Sequence, residues 1–160
     1  MKKGIRLGFL VLALFFIIGV GCDRQISSNK PYINSITPDK SFGSEGETVN
    51  VVVSVQNPAK VNYNGKVLIQ ADIPECFGMT AVEDGGQKQI KGYLEPISVL
   101  AGATNSALIK MKIPLENQEN CYKPTTNHML TFFILQEGQI NKLEILDSKN
   151  LDFSLFRKED

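Results

Sequence analysis

Two thiols, one imidazole and four loop carboxylates are the side chains of this 160-residue chain best suited to chemistry. Cys121, His128 and Met129 stand close together, and Cys76 lies upstream. Thiolate, imidazole and thioether are the ligand types of small copper sites. Such a site needs two histidines, and the chain has one. Met129 also directly follows His128, so in an extended strand the two side chains leave opposite faces. A zinc site would have to enlist Cys76, Cys121 and His128, and a disulfide would consume two of the three. A solvent-facing His128 near the start of a strand is the plainer expectation. No metal and no cofactor are expected.

Catalysis finds little more support. The single histidine, with no G-x-S-x-G, H-E-x-x-H or phosphate loop, removes the commonest hydrolase and transferase signatures. Glu83, Asp84, Glu116 and Glu119 could in principle supply the carboxylate pair of a glycosidase. Both groups fall in Gly- or Asn-rich loops, where carboxylates are usually just solvated. The "EDGG" stretch lacks the ligand spacing of a full calcium loop. The chain reads as a non-enzyme, with a carbohydrate-active enzyme as the last-ranked alternative.

The elements that would position these residues have a period of two. Val49, Val51, Val53 and Val55 share one face of "ETVNVVVSVQ". Val67, Ile69, Ala71 and Ile73 do so in the next run, and Ala107, Ile109, Met111 and Ile113 in a third, with Lys110 and Lys112 opposite. Such alternation marks half-buried antiparallel strands. "MLTFFILQ" is apolar on both faces and suits a central strand. "INKLEIL" and "LDFSLF" follow as two further strands, and weaker ones cover Tyr32–Ile36 and Gln89–Tyr93. Asn57-Pro58, Asn64-Gly65, Gly85-Gly86, Ala101-Gly102 and Glu137-Gly138 punctuate them. Seven or eight strands with turn signals between them predict an all-β antiparallel sandwich, with a closed barrel as the alternative.

The chain begins differently. Lys2, Lys3 and Arg6 precede an unbroken apolar run, Leu7 to Gly21. Fifteen residues at ~1.5 Å per residue make about 22 Å of helix, short of a ~30 Å hydrocarbon core. A basic start, a run of this length and small residues at its end describe an export signal or anchor helix. Gly19-Val20-Gly21-Cys22 resembles a bacterial or archaeal lipobox, which implies lipid on the Cys22 sulfur. Leu is usual where Gly19 stands. An uncleaved N-terminal anchor and a pilin-type leader cut after Gly4 are the competing readings. All three place the remainder outside the cytoplasm. The expected organisation is a signal or anchor over residues 1–21, a tether over 22–31 and a β-sandwich domain over 32–158. Three of the 17 cations precede Cys22, so 14 remain against 17 carboxylates, a scattered net charge of −3. That excludes nucleic acid as a partner, because polyanion binding needs clustered cations.

"VNVVVSVQNPAKVNYNGKVLIQADIP" resembles the early strand pair of CARDB-type immunoglobulin-like domains of archaeal and bacterial surface proteins. "ISVLAGATNSALIKMKIP" is similar to their later turn and strand, and "LDFSLF" to the closing strand. The resemblance spans Glu47 to Phe156 and implies an immunoglobulin-like sandwich with an adhesive, ligand-binding or spacer role. In immunoglobulin-like order the strand ending at Ile73 is C and the strand beginning near Met129 is F. These are antiparallel neighbours, which brings Cys76 and Cys121 to one edge of the molecule. In an oxidising compartment they are expected to pair. The bridge would close a 45-residue loop, worth about 4 kcal/mol of chain entropy. Two separate free thiols are the alternative.

Glu75–Val99 is longer than the family's pattern. Its "FGMTAV" offers Phe77, Met79 and Val82 as a possible contact surface, unless they cap the core. The expected function is thus a membrane-anchored extracytoplasmic binding or adhesion module. It would be held to the membrane by Cys22 lipid or by the N-terminal helix, with an unidentified protein or carbohydrate partner. A structural subunit of a surface filament or envelope complex is the alternative.

Overall fold

The computed structural model describes residues 29–83, 89–115, 119–122, 127–137 and 143–157. Cys22, the apolar run before it and most of the tether lie outside these residues. Among those described, nine strands form: β1 Tyr32–Pro38, β2 Phe42–Ser44, β3 Thr48–Gln56, β4 Tyr63–Ala71, β5 Thr80–Glu83, β6 Gln89–Val99, β7 Thr104–Lys112, β8 Asn127–Glu137 and β9 Leu143–Phe156. Two short 3-10 turns, Pro74–Phe77 and Glu119–Tyr122, precede β5 and β8.

The strands make a β-sandwich of two unequal sheets. One has three strands in the order β1-β3-β7, the other six in the order β2-β9-β8-β4-β6-β5. Alternation explains the smaller sheet directly. Val49, Val51, Val53 and Val55 of β3 are fully buried, and Ile109, Met111 and Ile113 at and beyond the end of β7 join them. β8 is central, paired with β4 on one side and β9 on the other. Its Leu130, Phe132 and Ile134 face the core, where β4 contributes Val67 and Ile69. Each such side chain taken out of water stabilises the fold by about 1.5–3 kcal/mol.

Three expectations about strands need correction. The described part of "INKLEIL", from Leu143 on, and "LDFSLF" are one strand, β9, whose polar middle Asp147–Asn150 pairs with Thr131–Ile134 of β8 next to a register shift between Ile134 and Leu135. β6 continues past Tyr93 to Val99, with Pro96 opposite Lys66. β2 and β5 were not expected. β2 has only three residues and pairs in parallel with the end of β9, and β5 is a four-residue edge strand on β6.

Side chains close both seams between the sheets. On one, the Asp147 carboxylate accepts the Ile33 N–H at 2.8 Å, beside a register shift in β1, and Lys149 Nζ donates to the Asn34 carbonyl at 3.2 Å. On the other, the Tyr93 hydroxyl donates to the Phe77 carbonyl at 2.9 Å and accepts the Lys112 N–H at 3.1 Å. Asn105 Nδ2 donates to the Ser98 carbonyl at 2.7 Å. The chain enters at the end holding Tyr32, Gln56, Tyr63 and Val99. The opposite, far end holds Ala71, Asn127 and Phe156.

Candidate functional site

The far end gathers the residues that the sequence marks for chemistry. β4 and β8 are antiparallel neighbours with Ala71 opposite Leu130, so the segments that follow β4 and precede β8 meet. Cys76 and Cys121 are bonded there, with Cα atoms 5.6 Å apart. Cys76 sits in the 3-10 turn Pro74–Phe77, which Gly78 ends in a left-handed conformation at φ 59°. A Cβ at Gly78 would lie 2.8 Å from the Lys112 carbonyl, so the turn needs glycine for space as well as for φ.

His128 lies directly beneath the bridge and is fully buried, not solvent-facing. It pairs with Phe153 across β8 and β9 and shares the core-facing parity of Leu130 and Phe132. Met129, on the opposite face, is 45% exposed. His128 Nε2 is 3.0 Å from the Cys121 carbonyl oxygen. A carbonyl only accepts, so Nε2 carries a proton and donates it. Nδ1 is 3.3 Å from Asp72 Oδ1, which also accepts the Ile73 N–H at 2.9 Å. The Phe77 ring meets the imidazole edge-on at 5.3 Å between centroids and the Phe153 ring at 6.0 Å. One imidazole thus ties the segment before β8, the segment after β4 and the aromatic core together.

The sulfurs are joined to each other and both imidazole nitrogens have partners. The arrangement holds chain segments together; neither sulfur is a thiolate that could attack or ligate. Among the described residues no three His, Cys, Asp or Glu side chains stand close enough to hold a metal ion. Glu75, beside the bridge, is exposed and receives Lys91 Nζ. That hydrogen bond holds its carboxyl below the usual glutamate range, helped by the backbone N–H of Glu75 itself.

The proposed contact cluster of Phe77, Met79 and Val82 does not form. Phe77 and Met79 are buried in the core, because the 3-10 turn folds back over the end of the sandwich. Val82 stands apart in the edge strand β5, opposite Ile90, and is half-buried. Of the four carboxylates, Asp84 and Glu116 lie outside the described residues, as do the side chains of Glu83 and Glu119.

The entry end is closed by an amide that the sequence marked only as a turn. Asn57 is fully buried. Its Nδ2 lies 2.8 Å from the Val61 carbonyl, 3.2 Å from that of Val99 and 3.3 Å from that of Leu100. Its Oδ1 accepts the Ala59 N–H at 3.2 Å. Tyr63 donates to the Leu135 carbonyl at 2.8 Å, and burial pushes its phenol far above the ordinary tyrosine range, against a smaller lowering by a backbone hydrogen bond from Lys66. A Cβ at Gly65 would land on that hydroxyl and carbonyl, so only glycine fits. A groove of about 180 Å³ opens beside them, bordered by Asn29, Pro31, Val61, Asn62, Gln136 and Leu146.

Neither a protein-family model nor a curated protein matches the chain. Among solved structures it is similar to a Paenibacillus sp. cycloisomaltooligosaccharide glucanotransferase complexed with cycloisomaltoheptaose (TM-score 0.49, 13% identity, 81% of this chain and 15% of that one). It is also similar to the Bacillus subtilis sporulation control protein Spo0M (TM-score 0.45, 11% identity, 79% and 49%). A third likeness is to the CARDB domain of a Pyrococcus furiosus protein in complex with di-metal ions (TM-score 0.47, 9% identity, 79% and 85%). The chain spans less than half the length of the first two. These likenesses transfer no ligand and no activity, and the β-sandwich assignment rests on the strand pairing itself.

Proposed function

We propose that this protein is a membrane-anchored, extracytoplasmic module with an immunoglobulin-like sandwich of the CARDB type, and that it binds a partner at the cell surface without catalysing a reaction. The observation that carries this reading is the Cys76–Cys121 bridge across the far end. Disulfides persist where the surroundings are oxidising, and a cysteine stands where the N-terminal apolar run ends. Strand order supports the immunoglobulin-like reading: β1, β3 and β7 take the places of A, B and E, and β6, β4, β8 and β9 those of C′, C, F and G. Lipid on Cys22 would fix the domain to the outer face of the membrane. The partner, protein or carbohydrate, then meets a rigid body on a short tether.

Intact-mass analysis of the membrane fraction tests the anchor. The expected mass lacks residues 1–21 and carries lipid, and it changes in Cys22→Ser, which has no sulfur to carry the lipid. A mass retaining Met1 overturns the lipoprotein form. A pull-down from detergent-solubilised membranes then separates the two roles. A stoichiometric partner supports the binding module, whereas recovery of polymers of this chain alone supports a filament subunit.

A further inference from the structure

We propose that the entry end of the sandwich docks onto the lipid surface itself, through Val61 and Leu100 flanked by Lys60. This rests on the anchored reading above and specifies how the anchored domain sits. Val61 and Leu100 are 71% and 66% exposed, among the most exposed large apolar side chains described. They belong to the two loops that cap this end, residues 57–62 and 100–103. The loops behave as one body. The single Asn57 amide reaches the carbonyls of both residues. Ala101 N–H donates to Asn62 Oδ1 at 3.0 Å, and Gly102 N–H to the Ala59 carbonyl at 3.2 Å. A rigid rim loses little conformational entropy on binding. Neither loop contains a carboxylate, and Lys60 is exposed beside Val61; Glu144, which borders the same groove, is paired with Lys30 at 3.3 Å. Aliphatic tips beside a cation suit an anionic bilayer surface.

The tether supplies the remaining argument. Asn29 lies seven positions after Cys22, a reach of at most about 24 Å. Asn29 and Pro31 border the same groove as Val61, so the rim cannot stand far from an anchored lipid. Two aliphatic side chains would not recruit a free domain. A short tether holds them at an effective concentration on the order of millimolar, where weak contacts become populated. The domain would then stand with its disulfide-closed end pointing away from the membrane.

The test uses the full lipidated chain in vesicles of phosphatidylcholine and phosphatidylglycerol. An environment-sensitive dye is placed in turn on Val61→Cys, Leu100→Cys and, on the outer face of β7, Leu108→Cys. Leu108 is 51% exposed and serves as the control. Docking predicts blue-shifted emission and severalfold weaker iodide quenching at 61 and 100 than at 108. It also predicts that the difference shrinks in pure phosphatidylcholine. If the chain floats with the vesicles but all three dyes quench alike, the anchor stands and the docking is wrong. If it does not float, both fail. Protection at 61 and 100 in native membranes but not in lipid vesicles makes the occupant a protein and overturns the lipid proposal.

Discussion

The two ends of this sandwich are closed by different chemistry. At the far end, segments 45 residues apart are joined covalently and backed by a buried imidazole. At the entry end one buried amide does the closing, through carbonyls at 61, 99 and 100. The difference follows from what each end must hold. The loops at the entry end are short and continue regular strands, so their carbonyls already lie near one another. Hydrogen bonds suffice there. The far end is built from 3-10 turns on the connections from β4 to β5 and from β7 to β8. A covalent bridge removes chain entropy that hydrogen bonds there could not offset.

Breaking the bridge should have the largest effect. Reduction, or Cys121→Ser, should lower stability by about 4 kcal/mol on the chain-entropy estimate, read as a lower urea midpoint in the presence of reductant with strand content unchanged below it. His128→Ala comes next. It leaves a cavity and removes the donor to the Cys121 carbonyl, together about 3 kcal/mol. Equilibrium unfolding of the oxidised protein measures it, and in reduced protein the two losses should be non-additive because they share one segment. Asn57→Ala then probes the other end. Removing the donor to buried carbonyls should cost about 2 kcal/mol, and hydrogen exchange should quicken at residues 57–62 and 100–103 without change near Cys76. A loss as large as that from breaking the bridge would overturn the contrast between the ends.

The smallest effect belongs to Glu75 and Lys91. The folded carboxyl titrates below its unfolded value, so its contribution is present at neutral pH and is lost as pH falls through the folded value. Carbon-detected NMR titration should place Glu75 below ordinary glutamates, and Lys91→Ala should move it back up. At neutral pH that substitution should leave the urea midpoint where it was, because exposed ion pairs contribute little.

The sequence was most informative where one face of a strand is buried and the other wet. The valines of β3 and the Ala107-Ile109-Met111-Ile113 series announce their faces by parity alone. The Cys76–Cys121 meeting followed from the neighbouring places of β4 and β8. Parity also held the answer for His128, which shares its buried face with Leu130 and Phe132, whereas its polarity alone suggested a solvent-facing position. Phe77 and Met79 failed for the converse reason. Their segment lacks a period, so nothing local shows that Gly78 turns it back over the core. β2 and β5 are too short to show a pattern, and the polar middle of β9 imitates a turn because that stretch of its ladder carries Asp147, Ser148, Lys149 and Asn150. Asn57 looked like half of an Asn-Pro breaker. Half of its role depends on the Val99 and Leu100 carbonyls some forty residues away, which no local pattern can display.

Because β1 begins at one end and β9 finishes at the other, tension between a membrane attachment and a load at the far end would run along the strands. The ladders of β1 with β3 and of β8 with β9 would then be sheared, with many hydrogen bonds loaded together, rather than unzipped one at a time. The bridge adds a second mechanical property. The 44 residues between Cys76 and Cys121 are locked out of the extension, which shortens the unravelled chain by about 150 Å at ~3.5 Å per residue. A domain pulled this way would yield late and lengthen less than the same chain without its bridge.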